Sequence, residues 1–216
     1  MDSSRFPSKM LADETGKPLI QYAWEVANAA SSVDEVLVAT DSEEIAKQVQ
    51  AFGGNVAMTG KHPNGTSRIA EAVANQDCDL VVNMQGDEPE LDPTVIDAAI
   101  ATIGEHAMGT VCCDLLETET MNENVVKVIL GDDGTAMDFV REMPAGEAYR
   151  HIGLYVYKPA FLQQFIEMNA TQNEISRRLE QMRAIDNGFT IAIAKVDPQP
   201  SGIDTPQQYA EFVKRN

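Results

Sequence analysis

Residues 85 to 89 read Gln85-Gly86-Asp87-Glu88-Pro89 and follow the apolar run Leu80-Val81-Val82-Asn83-Met84. A short buried strand ending in a turn with two carboxylates predicts an acidic group at the carboxyl end of a sheet, where ligands of open α/β proteins bind. Oxygen donors of that kind suit Mg²⁺, which is held by one or two carboxylates together with substrate phosphates. A second acidic turn, Gly202-Ile203-Asp204-Thr205-Pro206, has the same character. If the two turns lie side by side, Asp87 and Asp204 converge on one cation, since neighbouring carboxylates repel unless positive charge lies between them. The plainer reading makes each Asp a helix cap or turn residue.

Three other segments carry groups for an anionic substrate. Ser3-Ser4-Arg5-Phe6-Pro7-Ser8-Lys9 offers hydroxyls and two cations within seven residues, suited to a polyphosphate. His62-Pro63-Asn64-Gly65-Thr66-Ser67-Arg68 runs into a helix start, where Thr66 and Arg68 could meet a base edge or a phosphate. In Arg150-His151-Ile152-Gly153-Leu154-Tyr155-Val156-Tyr157, strand alternation places His151, Gly153, Tyr155 and Tyr157 on one face. That face is a polar and aromatic wall suited to a sugar acid. A lone strand histidine is more often structural than a general base. Taken one at a time, the bland readings are a frayed terminus, a capped turn and a core histidine.

The elements that must position these groups alternate. Helical spacing covers Pro18 to Ala30, with Pro18 in the first turn. A strand at Glu35 to Ala39 leads to Ser42 as cap of a helix from Glu43 to Ala51. Further elements are a strand at Asn55 to Met58, a helix from about Ser67 to Ala74, a helix from Pro93 to Ile103 and an extended run from Gly109 to Asp114. Such β–α alternation predicts an α/β protein with a mixed, mostly parallel sheet, right-handed crossovers and helices on both faces. The middle departs from it. Val125 to Leu130 and Thr135 to Arg141 flank the turn Gly131-Asp132-Asp133-Gly134 as a hairpin. Helices are expected at Pro159 to Met168, Glu174 to Asp186 and Thr205 to Lys214, and a strand at Phe189 to Val196. One domain over 1–216, with an excursion around 120–157, is the simplest organisation.

Bulk properties bound the partners. The chain has 216 residues and a formal net charge of −18. Such a surface repels nucleic acid and anionic membranes, so neither is expected as a partner. It leaves room for a small anion in a cleft where a few cations gather. No apolar run is long enough for a transmembrane helix. Cys78, Cys112 and Cys113 lack metal-site spacing and read as reduced thiols of a cytoplasmic protein.

Together these segments resemble the CMP-Kdo synthetase (3-deoxy-manno-octulosonate cytidylyltransferase) family over nearly the whole chain. The resemblance is carried by Ser4-Arg5-Phe6-Pro7-Ser8-Lys9, Gly16-Lys17-Pro18-Leu19-Ile20, Val38-Ala39-Thr40-Asp41, Gly65-Thr66-Ser67-Arg68, the 82–89 segment, Asn124-Val125-Val126-Lys127-Val128, Arg150-His151-Ile152-Gly153, Leu179-Glu180-Gln181-Met182-Arg183 and Gly202-Ile203-Asp204-Thr205-Pro206. It implies a Rossmann-like nucleotidyltransferase fold, a cytoplasmic homodimer, and the Mg²⁺-dependent reaction of CTP with 3-deoxy-manno-octulosonate (Kdo) to give CMP-Kdo and pyrophosphate for lipopolysaccharide assembly. Catalytic roles are implied for Lys9, Asp87 and Asp204, the two aspartates holding Mg²⁺. Ser4, Arg5, Thr66, Arg68 and Gln85 are implied on the CTP side, and His151, Tyr155, Glu180 and Gln181 on the sugar acid.

The chain departs from the family pattern in places. Family members open with an apolar strand and Pro-Ala-Arg, whereas this chain begins inside the following loop. The first strand is therefore expected to be missing and the true start to lie upstream of Met1. Ser8 stands where glycine is usual, which strains the loop if φ is positive there. The 141–150 region is shorter than in the family. That leaves a cytidylyltransferase for another sugar acid, such as amino-Kdo or another nonulosonate, as the alternative. A truncated, inactive binding subunit is the alternative from another class.

Overall fold

The computed structural model describes residues 6–216. The chain divides into two compact units. The first takes in the described part of Met1–Gln76 with Met84–Asp97 and Gln199–Asn216. The second takes in Asp77–Asn83 and Ala98–Pro198.

The first unit starts with a 3-10 turn at Lys9–Leu11 and helix α1 at Leu19–Ala29. Strands β1 (Leu37–Thr40) and β2 (Asn55–Met58) pair in parallel around helix α2 (Glu43–Ala51). The Ser42 side chain accepts from the Ile45 N–H and caps α2, while Glu43 and Glu44 favour its positive end. Helix α3 (Gly65–Ala72) is capped by Asn64. The closing helix α8 (Pro206–Arg215) has a full capping box, Thr205 with Gln208, and Pro206 in its first turn. It contributes Tyr209 and Phe212 to an apolar cluster with Leu19 and Ile203, against which Phe6 and Tyr22 pack. The rings of Phe6 and Tyr209 lie 5.4 Å apart and those of Tyr22 and Phe212 5.0 Å apart.

The second unit is built on one sheet. Its strands are β3 (Val81–Asn83), β4 (Met108–Cys113), β5 (Lys127–Leu130), β6 (Ala136–Val140), β7 (Tyr149–Tyr157) and β8 (Ile191–Val196). The order is β6-β5-β7-β4-β8, with β3 on β7. The α/β fold and the mixed sheet are as expected, but pairing here is mainly antiparallel. Strand β7 runs against β3, β4 and β5, and only β4 and β8 pair in parallel. The cause is the hairpin β5–β6, which returns the chain in reverse before β7 enters the sheet. Every residue of β4 is buried, so Cys112 and Cys113 are sealed inside while Cys78 is exposed. Burial pushes the Cys112 thiol up to about 12, so it is not a nucleophile.

Helix α4 (Pro93–Thr102) carries the chain from one unit into the other. Helix α5 (Pro159–Glu167) buries Phe161, Leu162 and Phe165, with the Tyr157 ring 6.2 Å from that of Phe165. The single helix expected over Glu174 to Asp186 is two: α6 (Gln172–Arg177) and α7 (Met182–Asp186). Arg178 breaks it by adopting the left-handed region at φ 56. The break turns Leu179 and Gln181 into the interior, both at 4% exposure. Among the described residues, no helix is long and apolar enough to cross a membrane.

Candidate active site

In the first unit three segments distant in sequence meet at Lys9. Its Nζ donates to Asp87 Oδ2 at 2.5 Å, to Asp204 Oδ1 at 3.2 Å and to the Ile203 carbonyl at 2.9 Å. Local structure explains the meeting. Ser8 sits at φ 56, ψ 22, and this left-handed residue starts the tight turn that directs Lys9 inward. Gly86 allows close approach, because a Cβ there would lie 2.8 Å from Ile20 Cδ1 and 3.0 Å from Met10 Sδ. Gly202 does the same for the other turn, where a Cβ would lie 2.8 Å from Glu88 Oε1 and 3.1 Å from the Asp87 carbonyl. The Ile203 N–H donates to the Asp87 carbonyl at 2.8 Å and locks the two acidic turns together. Asp204 is held in turn by the cap of α8, where its N–H donates to Gln208 Oε1 at 2.9 Å.

The Lys9 side chain is 9% exposed, against 25% for Asp87 and 50% for Asp204. A buried ammonium thus binds two carboxylates that remain open to solvent on their other side. Among the described residues no group of three or more His, Cys, Asp or Glu could hold a metal ion. Two carboxylates are nevertheless the donor set that Mg²⁺ takes when phosphates and waters complete its shell. Asp87 and Asp204 fit that role.

The other first-unit candidates lie as follows. Thr66 is buried in the first turn of α3. The Gln85 amide packs on Gly65 at the start of the same helix, 3.7 Å from where a Cβ would be. Arg68 is not free: it donates to Thr59 Oγ1 at 2.7 Å and lies 3.2 Å from Asp41 Oδ1. Burial opposes ionisation of Asp41, but the Arg68 hydrogen bond and charge outweigh it and hold its carboxyl below the usual value. The same loop is fastened by Glu71, which accepts from the Gly60 N–H and pairs with His62. Ser4 and Arg5 lie outside the described residues.

In the second unit, His151 and Tyr155 share a face of β7, with ring centroids 5.4 Å apart, and the Phe139 ring stands 5.0 Å from that of His151. His151 Nε2 is 2.9 Å from Thr110 Oγ1. Burial lowers the His151 pKa to about 3, so the ring is neutral at physiological pH. Burial, with the nearby Glu180 charge, raises that of Tyr155 well above the phenol range. Glu180 is 3.4 Å from Arg183 Nη2. Arg183 donates from Nε to Glu174 Oε2 at 2.8 Å, pairs again with Glu174 through Nη2, and donates to the Phe165 carbonyl at 3.2 Å. Arg183 and Glu174 therefore fix the turn that presents Glu180 and Gln181. Sequence reasoning missed Thr110, Glu174 and Arg183 as supports. For Thr110 a signal existed: a lone hydroxyl in the all-buried strand Met108-Gly109-Thr110-Val111-Cys112-Cys113 needs partners.

Two acidic turns gathered on a lysine suit a cation-bound phosphate, the need of a nucleotidyl transfer. The model of the family described as Cytidylyltransferase matches residues 1–193. The 3-deoxy-manno-octulosonate cytidylyltransferase of Geotalea uraniireducens (strain Rf4) is 40% identical over 236 residues, covering 99% of this chain and 94% of that protein. Its counterpart in Syntrophotalea carbinolica (strain DSM 2380 / NBRC 103641 / GraBd1) is 41% identical over 226 residues, covering 95% and 90%. A solved structure of CMP:2-keto-3-deoxy-manno-octonic acid synthetase complexed with CTP superposes with a TM-score of 0.93 at 32% identity, covering 99% of this chain and 93% of that one. The 4-diphosphocytidyl-2C-methyl-D-erythritol synthase of Anaerococcus prevotii DSM 20548, at 12% identity and TM-score 0.61 over 93% of this chain and 86% of that one, shares the fold alone. The chain belongs to the cytidylyltransferase family, and within it to the 3-deoxy-manno-octulosonate cytidylyltransferases.

Proposed function

We propose that this chain is a nucleotidyltransferase that converts CTP and Kdo to CMP-Kdo and pyrophosphate, supplying activated Kdo for lipopolysaccharide assembly. The observation that carries the reading is the meeting of Lys9, Asp87 and Asp204, in a chain aligned almost end to end with a CMP-Kdo synthetase complexed with CTP. The anomeric hydroxyl of the sugar acid attacks the α-phosphorus of CTP. An O–P bond forms, the bond to the bridging oxygen breaks, pyrophosphate leaves and the hydroxyl proton passes to solvent. Both substrates are anions, so their approach needs positive charge at the reacting phosphate. Lys9 supplies one cation. Asp87 and Asp204 would hold Mg²⁺, which when bound offsets the charge of the triphosphate. Thr66, Arg68 and Gln85 attend the nucleotide, joined by Ser4 and Arg5. His151, Tyr155, Glu180 and Gln181 attend the sugar acid. We infer from the family that the protein acts as a cytoplasmic homodimer, which light scattering on purified protein tests.

The test is pyrophosphate release from CTP and Kdo with Mg²⁺, set against CTP with other nonulosonates. Release with Kdo alone is expected. Release only with another sugar acid would keep the transfer chemistry and discard Kdo. Lys9→Met should lower the rate by roughly 10²-fold or more, the weight of one transition-state charge contact, while the protein stays folded by near-UV circular dichroism. Chelating the divalent cation should abolish release in the unmodified protein. Release that survives EDTA would remove Mg²⁺ from the scheme.

A further inference from the structure

Strand β7 carries a bulge opposite Thr110. Thr110 pairs with Tyr155 and Val111 with Ile152, so Gly153 and Leu154 are extra residues on β7. A bulge interrupts the ladder here, and a buried carbonyl off the ladder needs a donor. Thr110, at 1% exposure, provides one. Its Oγ1 lies 2.6 Å from the Leu154 carbonyl and 3.3 Å from that of Ile152. The same oxygen is 2.9 Å from His151 Nε2.

Counting protons assigns the histidine. A threonine hydroxyl has one proton and two lone pairs. Two oxygens 2.6 Å apart must share a proton, or two acceptors would face each other. The Thr110 proton therefore goes to the Leu154 carbonyl, and Thr110 can only accept from His151. His151 is neutral, so it carries one N–H, at Nε2. Its Nδ1 keeps a lone pair and has no hydrogen-bond partner among the described residues. Trp24 Nε1 is the one fully buried side-chain nitrogen or oxygen among them that lacks a partner, and His151 and Tyr155 are half-buried, so His151 Nδ1 is not sealed from a ligand.

We propose that Thr110 is a positioning residue that fixes His151 as the Nε2–H tautomer, so that Nδ1 accepts a hydrogen bond from a hydroxyl of the sugar acid. This rests on the sugar-acid reading of the β7 face. The specificity follows from the acceptor. Nδ1 rewards a ligand that donates there and rejects a deoxy or carboxylate group at the same place, because a carboxylate oxygen would oppose a lone pair. An Nδ1–H tautomer would invert that preference.

The experiment is long-range ¹H–¹⁵N correlation on ¹⁵N-histidine protein without substrate, paired with separate KM values for CTP and Kdo. The chain has three histidines, and the His151→Asn variant assigns the signal. The unmodified protein should show Nε2 protonated and Nδ1 bare. Thr110→Val should mix the tautomers and raise the KM for Kdo about tenfold, the weight of one hydrogen bond, leaving that for CTP within about twofold. Thr110→Ser, which keeps the hydroxyl, should restore both. A protonated Nδ1 in the unmodified protein overturns the proposal even if Thr110→Val does not fold. So does a Thr110→Val protein with unchanged spectrum and KM. The spectrum is read without substrate, so failure of Kdo as substrate would be seen separately, in the release assay.

Discussion

Ser8 shows how a single residue sets the site. Its φ of 56 lies in the left-handed region, where a side chain other than glycine is strained. The turn it starts brings Lys9 to the two aspartates, so the strain is retained beside the Lys9 cluster. Ser8→Gly should therefore stabilise the protein by about 1 kcal/mol in urea denaturation and leave pyrophosphate release unchanged. A loss of stability would show that the hydroxyl has a role the backbone does not explain. Which residues bring charge to the turns was readable beforehand. Gln85-Gly86-Asp87 and Gly202-Ile203-Asp204 announced two acidic turns, and Lys9 a cation. That Lys9 reaches both aspartates was not readable, because it depends on Gly86 and Gly202 letting backbones approach across 78 and 195 positions of sequence.

At the scale of elements, capping residues made most boundaries legible: Ser42, Thr205 with Pro206, and the Gly131–Gly134 turn of the hairpin stand where expected. The break between α6 and α7 was hidden, since Arg177-Arg178-Leu179 is ordinary helix sequence and only tertiary contacts decide it. Arg183 and Glu174 are central to those contacts, with side chains 9% and 12% exposed. Removing one partner of such a pair leaves a buried charge alone. Glu174→Ala should cost about 3–5 kcal/mol in denaturant and raise the KM for Kdo through the displaced turn at Glu180 and Gln181. A cost below 1 kcal/mol would mean that the pair is solvated and the turn is held by its apolar residues. The antiparallel character of the second unit escaped periodicity for a related reason: alternation gives a strand its faces, and only the path of the hairpin gives it a direction.

For the whole molecule, the half-buried, neutral His151 links folding to acidity. Its folded pKa, about 3, lies below its unfolded value near 6.5. Between these values the unfolded chain binds the proton and the folded one does not, so stability falls as pH drops from about 6.5 toward 3. His151→Asn should lose less stability than the unmodified protein between pH 6.5 and 4 in parallel denaturation curves. Equal losses would place the acid sensitivity in other groups. The division of the chain has a consequence for how it is made. The first unit draws on Gln199–Asn216, whereas the second is closed by Pro198. A ribosome that adds about 5–20 residues each second delivers the second unit's sequence in full before Asp204 exists. Lys9 and Asp87 are thus both made well before the third member of their cluster. A nascent chain stalled before residue 199 holds the whole sequence of the second unit but not Asp204, so the Lys9 cluster can close only after the second unit is already free to fold.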